Sequence, residues 1–218
     1  MVVPAVIPNS FAHLSETLTK LAAFTHAAQV DIVDGRFVPS ISWPYHEGEV
    51  ISELATYSDT FDLEVDLMVL QPEAVIDAYV EAGVKRVVVH IESTEELTRI
   101  IANHASHSYA LGLALNNETP LSKLNDYVND IDFVQLMGIA HIGAQGEAFD
   151  DRVLSRIRAL RTQYPNLEIS VDGSVNKETL PSLLNAGAQR LISGSAILEA
   201  DDPETAFAEL QQLEIQSM

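Results

Sequence analysis

Eight short apolar runs, each followed by a longer stretch with helical spacing, narrow the fold of this 218-residue chain more than any other feature. Strands are expected over Val2–Ile7, Gln29–Val33, Phe61–Val69, Arg86–Ile91, Ala110–Leu115, Phe133–Met137, Glu168–Asp172 and Arg190–Ser193. Helices are expected near Leu14–Ala23, Glu47–Tyr57, Pro72–Ala82, Thr94–Ala105, Pro120–Val128, Asp150–Tyr164, Lys177–Ala186 and Pro203–Leu213. Most of the strand runs are nearly unbroken in hydrophobicity, the mark of strands covered on both faces of a parallel sheet. Val153, Ile157 and Leu160 share one helical face, and Asp202 precedes Pro203 at a first helical position. Eight strand–helix pairs near the lower size limit predict an α/β chain closed into a (β/α)8 TIM barrel, one domain over residues 1–218. An open doubly wound sheet is the alternative. It would usually carry a glycine-rich turn after the first strand, where this chain has Ile7-Pro8-Asn9-Ser10.

Composition removes several functions. There is no cysteine, so disulfides, thiolate catalysis and cysteine-based zinc sites are excluded together. Thirty-two acidic residues against 12 basic give a formal charge of −20, a poor match to nucleic acid or an anionic lipid surface. Charges interrupt every apolar run, so no membrane span is expected. The segment Met1-Val2-Val3-Pro4-Ala5-Val6-Ile7-Pro8 lacks a basic leader and reads as a first strand rather than a signal peptide, which fits a cytoplasmic location. Oligomeric state is open, and a homo-oligomer is compatible with everything in the sequence.

In a barrel, the C-terminal ends of the strands line the site. Those ends supply Gln29, Asp31, Asp66, His90, Asn116, Met137, Asp172 and Ser193 to Ser195, with His141 just beyond the sixth strand. Val30-Asp31-Ile32-Val33-Asp34-Gly35 and Ser170-Val171-Asp172-Gly173-Ser174 are each an apolar, β-branched run that ends in an aspartate and then a glycine, and they carry Asp31 and Asp172. Two carboxylates facing across one pocket can take a proton from one face of a carbon and return one to the other; taken singly, each can equally cap the helix that follows. Gly173-Ser174 and Gly194-Ser195 follow the seventh and eighth strands, where barrels commonly hold phosphate with backbone N–H groups. Gly143 and Gly146 offer a third cradle, and His141 beside them a ligand contact.

Several segments then resemble one family in order along nearly the whole chain. Val30-Asp31-Ile32-Val33-Asp34-Gly35-Arg36-Phe37-Val38-Pro39-Ser40 is similar to the second-strand signature of the ribulose-phosphate 3-epimerases. Glu64-Val65-Asp66-Leu67-Met68-Val69, Leu113 through Pro120, Val171 through Asn176, and Gly194-Ser195-Ala196-Ile197 resemble later segments of the same family. The resemblance implies a ribulose-phosphate-binding barrel acting on phosphorylated sugars, with Asp31 and Asp172 as an acid–base pair around a metal-stabilised enediolate. The chain departs from that pattern where the metal would bind. Gln29 and Asp66 stand where the family has histidines, Ala5 replaces a serine, and Ala140 through Glu147 replace the family's Asn-Pro-Gly-Phe-Gly-Gly-Gln loop.

Gln29, Asp31, Asp66 and Asp172 form an all-oxygen set, which suits magnesium or manganese better than zinc or iron. The loss of both imidazoles is equally compatible with no metal at all, and no organic cofactor is expected. The first reading is therefore a phosphosugar epimerase or isomerase. The rivals are a metal-assisted lyase or decarboxylase and a non-catalytic phosphosugar-binding relative. Schiff-base chemistry is disfavoured because none of the four lysines falls at a strand end.

Overall fold

The computed structural model describes residues 1–144 and 146–217; Gln145, in the sixth-strand loop noted above, lies outside them. Eight strands form one closed parallel barrel in sequence order: β1 (Val2–Val6), β2 (Ala27–Val33), β3 (Asp62–Met68), β4 (Arg86–His90), β5 (Ala110–Leu115), β6 (Phe133–Met137), β7 (Glu168–Asp172) and β8 (Arg190–Ser193). Closure is made by β8 returning beside β1, with Val2 opposite Leu191 and Val3 opposite Ile192. The open-sheet alternative is thereby removed.

Each strand is apolar outward because helices cover it. Leu63, Val65 and Leu67 of β3, Val87 and Val89 of β4, and Leu111, Leu113 and Leu115 of β5 belong to one large cluster with the helix residues Leu14, Leu18, Ile157, Leu160 and Leu183. The covering helices are α1 (Phe11–Leu21), α2 (Ile76–Glu81), α3 (Leu97–His104), α4 (Arg152–Gln163), α5 (Leu180–Ala186), the short α6 (Ser195–Leu198) and α7 (Pro203–Ser217). Val153, Ile157 and Leu160 do form the buried stripe of α4. Asp202 anchors the start of α7, its carboxylate accepting from the Thr205 N–H at 3.3 Å and from the Thr205 hydroxyl at 2.7 Å.

Two expected α-helices are instead 3₁₀ turns, Ile51–Tyr57 and Leu121–Leu124. In the first, Ile51, Leu54 and Tyr57 recur every third residue, and the three-residue turn aligns them toward the core. The stretch Pro72–Ala82 splits at Val75 into a 3₁₀ turn and α2. Among the described residues no helix is long and apolar enough to cross a membrane.

The inside of the barrel is polar to an unusual degree. Gln29, Glu64, Asp66, His90, Gln135 and Ser170 have no exposed surface, and Arg190 keeps only 5%. Glu64 pairs with Arg86 at 2.6 Å and Arg190 at 3.4 Å, and Arg86 reaches on to Glu168 at 2.5 Å. The Arg86 guanidinium lies 3.9 Å from the centre of the Phe133 ring. That ring occupies the space above Gly112, where a Cβ would come within 2.2 Å of it. Glu64, Arg86, Phe133 and Arg190 fill the N-terminal half of the barrel and leave the C-terminal half to the acids.

Candidate active site

The polar interior continues upward into a cluster of carboxylates. On β2, successive inward positions carry Gln29 and Asp31; on β3 they carry Glu64 and Asp66, in register with the β2 pair. Asp172 ends β7 on the far side of the barrel. Oxygens of Asp31, Asp66 and Asp172 all lie within 4.8 Å of one another. Gln29 bridges the barrel: its Nε2 donates to Asp31 Oδ1 at 2.8 Å and to Asp172 Oδ2 at 2.7 Å.

Asp66 is held by two other donors. His90 Nε2 lies 3.0 Å from its Oδ1, and Gln135 Nε2 donates to its Oδ2 at 2.9 Å. Gln135 also approaches Asp172 at 3.4 Å and is oriented by Ser170, whose hydroxyl donates to its Oε1 at 3.3 Å. Phe37 packs against the His90 ring at 5.5 Å. Gln135 is the residue that sequence reasoning missed. Its only signal was its place in β6, two residues before Met137 at the strand end, and therefore on the same inward face.

Burial and mutual repulsion set the protonation of these groups. Burial first, then the charges of Asp172 and Asp66, push the Asp31 carboxyl well above the ordinary aspartate value. Burial and the charge of Asp66 push Asp172 up to about 7, against the lowering effect of the Gln29 hydrogen bond. Burial pulls the His90 imidazole down, but the charge and hydrogen bond of Asp66, with Glu92 behind it, bring it to a net rise. At neutral pH the Asp31–Asp172 pair thus retains a proton that exposed carboxylates would have lost.

A cavity opens above these acids. Asp31 and Asp172 form part of its wall, with Met68, Met137 and Ile139 alongside, and Gly143, Gly146, Gly173, Ser174, Gly194 and Ser195 also line it. Gly173 and Ser174 both have positive φ, 101° and 54°. For Ser174 this left-handed backbone costs about 1–3 kcal/mol. Thr179 holds the turn by donating to the Ser174 carbonyl at 2.7 Å, and Ser193 donates to the Val175 carbonyl at 2.8 Å.

His141 is not brought to the cavity. Its side chain is 85% exposed and lies 3.6 Å from Glu147, which itself lines the mouth. Trp43 is wholly buried, packed on Phe11 at 5.9 Å with its indole N–H on Glu53 at 3.3 Å.

The donor set fits a hard divalent cation. Three carboxylates converge, one oxygen of Asp31 (Oδ2) and one of Asp172 (Oδ1) are outside the clamp made by Gln29, and the Gln29 Oε1 is buried with no hydrogen-bond partner among the described residues. His90 and Gln135 hold Asp66 from behind, as outer partners of metal ligands commonly do.

A closed parallel barrel of eight strands with buried acids at its C-terminal mouth and glycine–serine turns after β7 and β8 defines a TIM barrel. Solved structures share that barrel. 3-keto-L-gulonate-6-phosphate decarboxylase from Vibrio cholerae superposes with a TM-score of 0.77 at 14% identity, covering 100% of this chain and 98% of that one. A 3-hexulose-6-phosphate synthase gives 0.71 at 20%, covering 98% and 99%. The profile of the ribulose-phosphate 3 epimerase family matches residues 1–198, and the chain belongs to that family. The ribulose-phosphate 3-epimerase of Bacillus subtilis is 31% identical over 96% of this chain and 97% of its own length. That of Schizosaccharomyces pombe is 28% identical over 96% and 92%.

Proposed function

We propose that this chain is a phosphosugar epimerase of the ribulose-phosphate 3-epimerase kind, with Asp31 and Asp172 as its two proton carriers. The observation that supports this best is the pair itself: two buried aspartates from β2 and β7, tied through Gln29 and lining one cavity. Inversion at a carbon next to a ketose carbonyl needs one ionised and one protonated group on opposite faces. The ionised aspartate takes the proton, the C–H electron pair forms the enediolate double bond, and the carbonyl oxygen becomes the oxyanion. The protonated aspartate then delivers its proton to the other face as the carbonyl re-forms, and the pair has exchanged roles.

Asp31, Asp66, Asp172 and Gln29 are the residues that would hold a divalent cation, of magnesium or manganese character. Such an ion would offset the negative charge that develops on the enediolate oxygen. Backbone N–H groups of Gly173, Ser174, Gly194 and Ser195, with Gly143 and Gly146 above them, would hold the phosphate of a sugar substrate. Among the described residues no lysine lines the cavity, which argues against a Schiff-base lyase.

The test is deuterium wash-in from solvent across a panel of pentulose and hexulose phosphates. Wild type should exchange the proton beside the carbonyl of at least one of them. Asp31→Asn and Asp172→Asn should each slow exchange by about 10²–10⁴-fold. Exchange that proceeds unchanged in both variants would place the chemistry elsewhere; no exchange by wild type would favour the binding-protein reading.

A further inference from the structure

The carboxylate cluster turns on a single side chain whose two ends are unequally used. Gln29 has no exposed surface. Its Nε2 spends both N–H groups on Asp31 and Asp172, while its Oε1, equally buried, has no partner among the described residues. A carboxamide is a neutral group with two donors at one end and a hard oxygen at the other, and the ends are nearly the same shape. A half-turn about the Cγ–Cδ bond exchanges them within the same space. Turned that way, the amide oxygen would face the oxygens of two acids without the two N–H groups that now tie them. A cation satisfies such a set of oxygens; in its absence the amide faces the acids with its nitrogen.

We propose that Gln29 is a two-position amide governed by cation binding. Without a cation, Nε2 faces inward and ties Asp31 Oδ1 to Asp172 Oδ2. With a hard divalent cation, Oε1 faces inward as a ligand and both carboxylate oxygens are released from the tie. The amide is therefore a built-in restraint on the two acids, and cation occupancy is the condition that lifts it. That last consequence rests on the acid–base roles proposed above; the turning of the amide does not. His90 is kept out of the ligand set, since its Nε2 is committed to Asp66 and its Nδ1 lies 3.9 Å from Glu92.

The experiment follows the Gln29 side-chain amide in ¹H–¹⁵N spectra of the full chain after chelator treatment, its signals identified by their loss in Gln29→Glu. Magnesium is then added, with binding measured separately by calorimetry. The expected result is a displaced Gln29 amide signal at saturation and faster exchange of its protons with solvent. Manganese binding, read by the loss of free-ion signal in electron paramagnetic resonance, should weaken by about 10–100-fold in Gln29→Met, a folded side chain of similar volume without a hard donor. Gln29→Glu, which offers oxygen at both ends, should bind manganese at least as tightly as wild type. Unchanged Gln29 signals at magnesium saturation would overturn the proposal. So would wild-type manganese affinity in a folded Gln29→Met, or the failure of both ions to bind wild type stoichiometrically. A moved amide in a protein that exchanges no substrate proton would support the two-position amide and count against the epimerase reading alone.

Discussion

At the scale of single residues, the site is governed by where buried protons reside. Asp172 titrates near 7 in the folded chain because of burial and Asp66, and near 4 when unfolded. Between those values the folded state holds the extra proton, so stability falls as pH rises. Asp31 is displaced in the same direction. The Asp172 contribution is fully present below about pH 4 and is lost as pH rises through its folded value near 7, at about 1.4 kcal/mol for each unit of displacement, and the Asp31 contribution is lost in the same direction. The melting temperature of chelator-treated protein should therefore drop between about pH 5 and pH 8, and added magnesium should recover much of the loss at the upper end. A melting temperature that rises over this interval would contradict the protonation scheme. The pair of acids was legible in the sequence because each interrupts or ends an apolar strand near its C-terminal end, Asp31 two residues before the end of β2 and Asp172 at the end of β7. The donors that hold them were less so: nothing local marks Gln135, which reaches Asp66 from a position 69 residues away.

At the scale of elements, strand boundaries were nearly all visible, since a strand buried on both faces writes its length directly as an apolar run. The expected and observed limits of β5, β6, β7 and β8 coincide. Helices were read less well wherever the covering segment buries few side chains. Leu121–Leu124 buries only Leu124, and a single 3₁₀ turn suffices to place it. Within the sheet, β5 and β6 meet through the Gly112–Phe133 contact. Gly112→Ala would force the Phe133 ring away from Arg86 and should destabilise by about 1–3 kcal/mol. In a chain of this size that is a fall of about 2–4 °C in melting temperature per kcal/mol. An unchanged melting temperature would mean that the ring has room to move.

At the scale of the whole molecule, ion pairs cross the barrel interior and join β3 to β4 and β8, and β4 to β7. Glu64 is fully buried between Arg86 and Arg190. Arg190→Met leaves Glu64 with one partner and should cost about 3–5 kcal/mol, whereas the double change Glu64→Leu with Arg190→Met should recover part of that loss. Chemical denaturation of the single and double variants measures the coupling, and additive losses would show the pair to be independent. The surface carries the same sign as the site. With a net charge of −20 and Asp31, Asp172 and Glu147 lining the cavity, an anionic phosphosugar approaches against the field. Raising salt shortens the Debye length to about 10 Å at 0.1 M, so KM should fall as salt is raised from low ionic strength. A KM that rises with salt would point to cationic contacts that the cavity does not show.

What the sequence determined by itself was local. Apolar runs set the strands, their number and order set the barrel, and the aspartates in the C-terminal parts of two strands marked the mouth. What only the tertiary structure decided was which of those groups meet. Gln29 and Asp172 are 143 residues apart and 2.7 Å from contact; Glu64 and Arg190 are 126 apart and share one buried pair. His141 has the right chemistry and lies in the right loop, yet points into solvent. Strand periodicity is a property of neighbours along the chain, whereas the protonation of Asp31 and the free oxygen of Gln29 depend on closure. Only a sheet that returns from β8 to β1 brings opposite walls within hydrogen-bonding reach and shuts water out from between them.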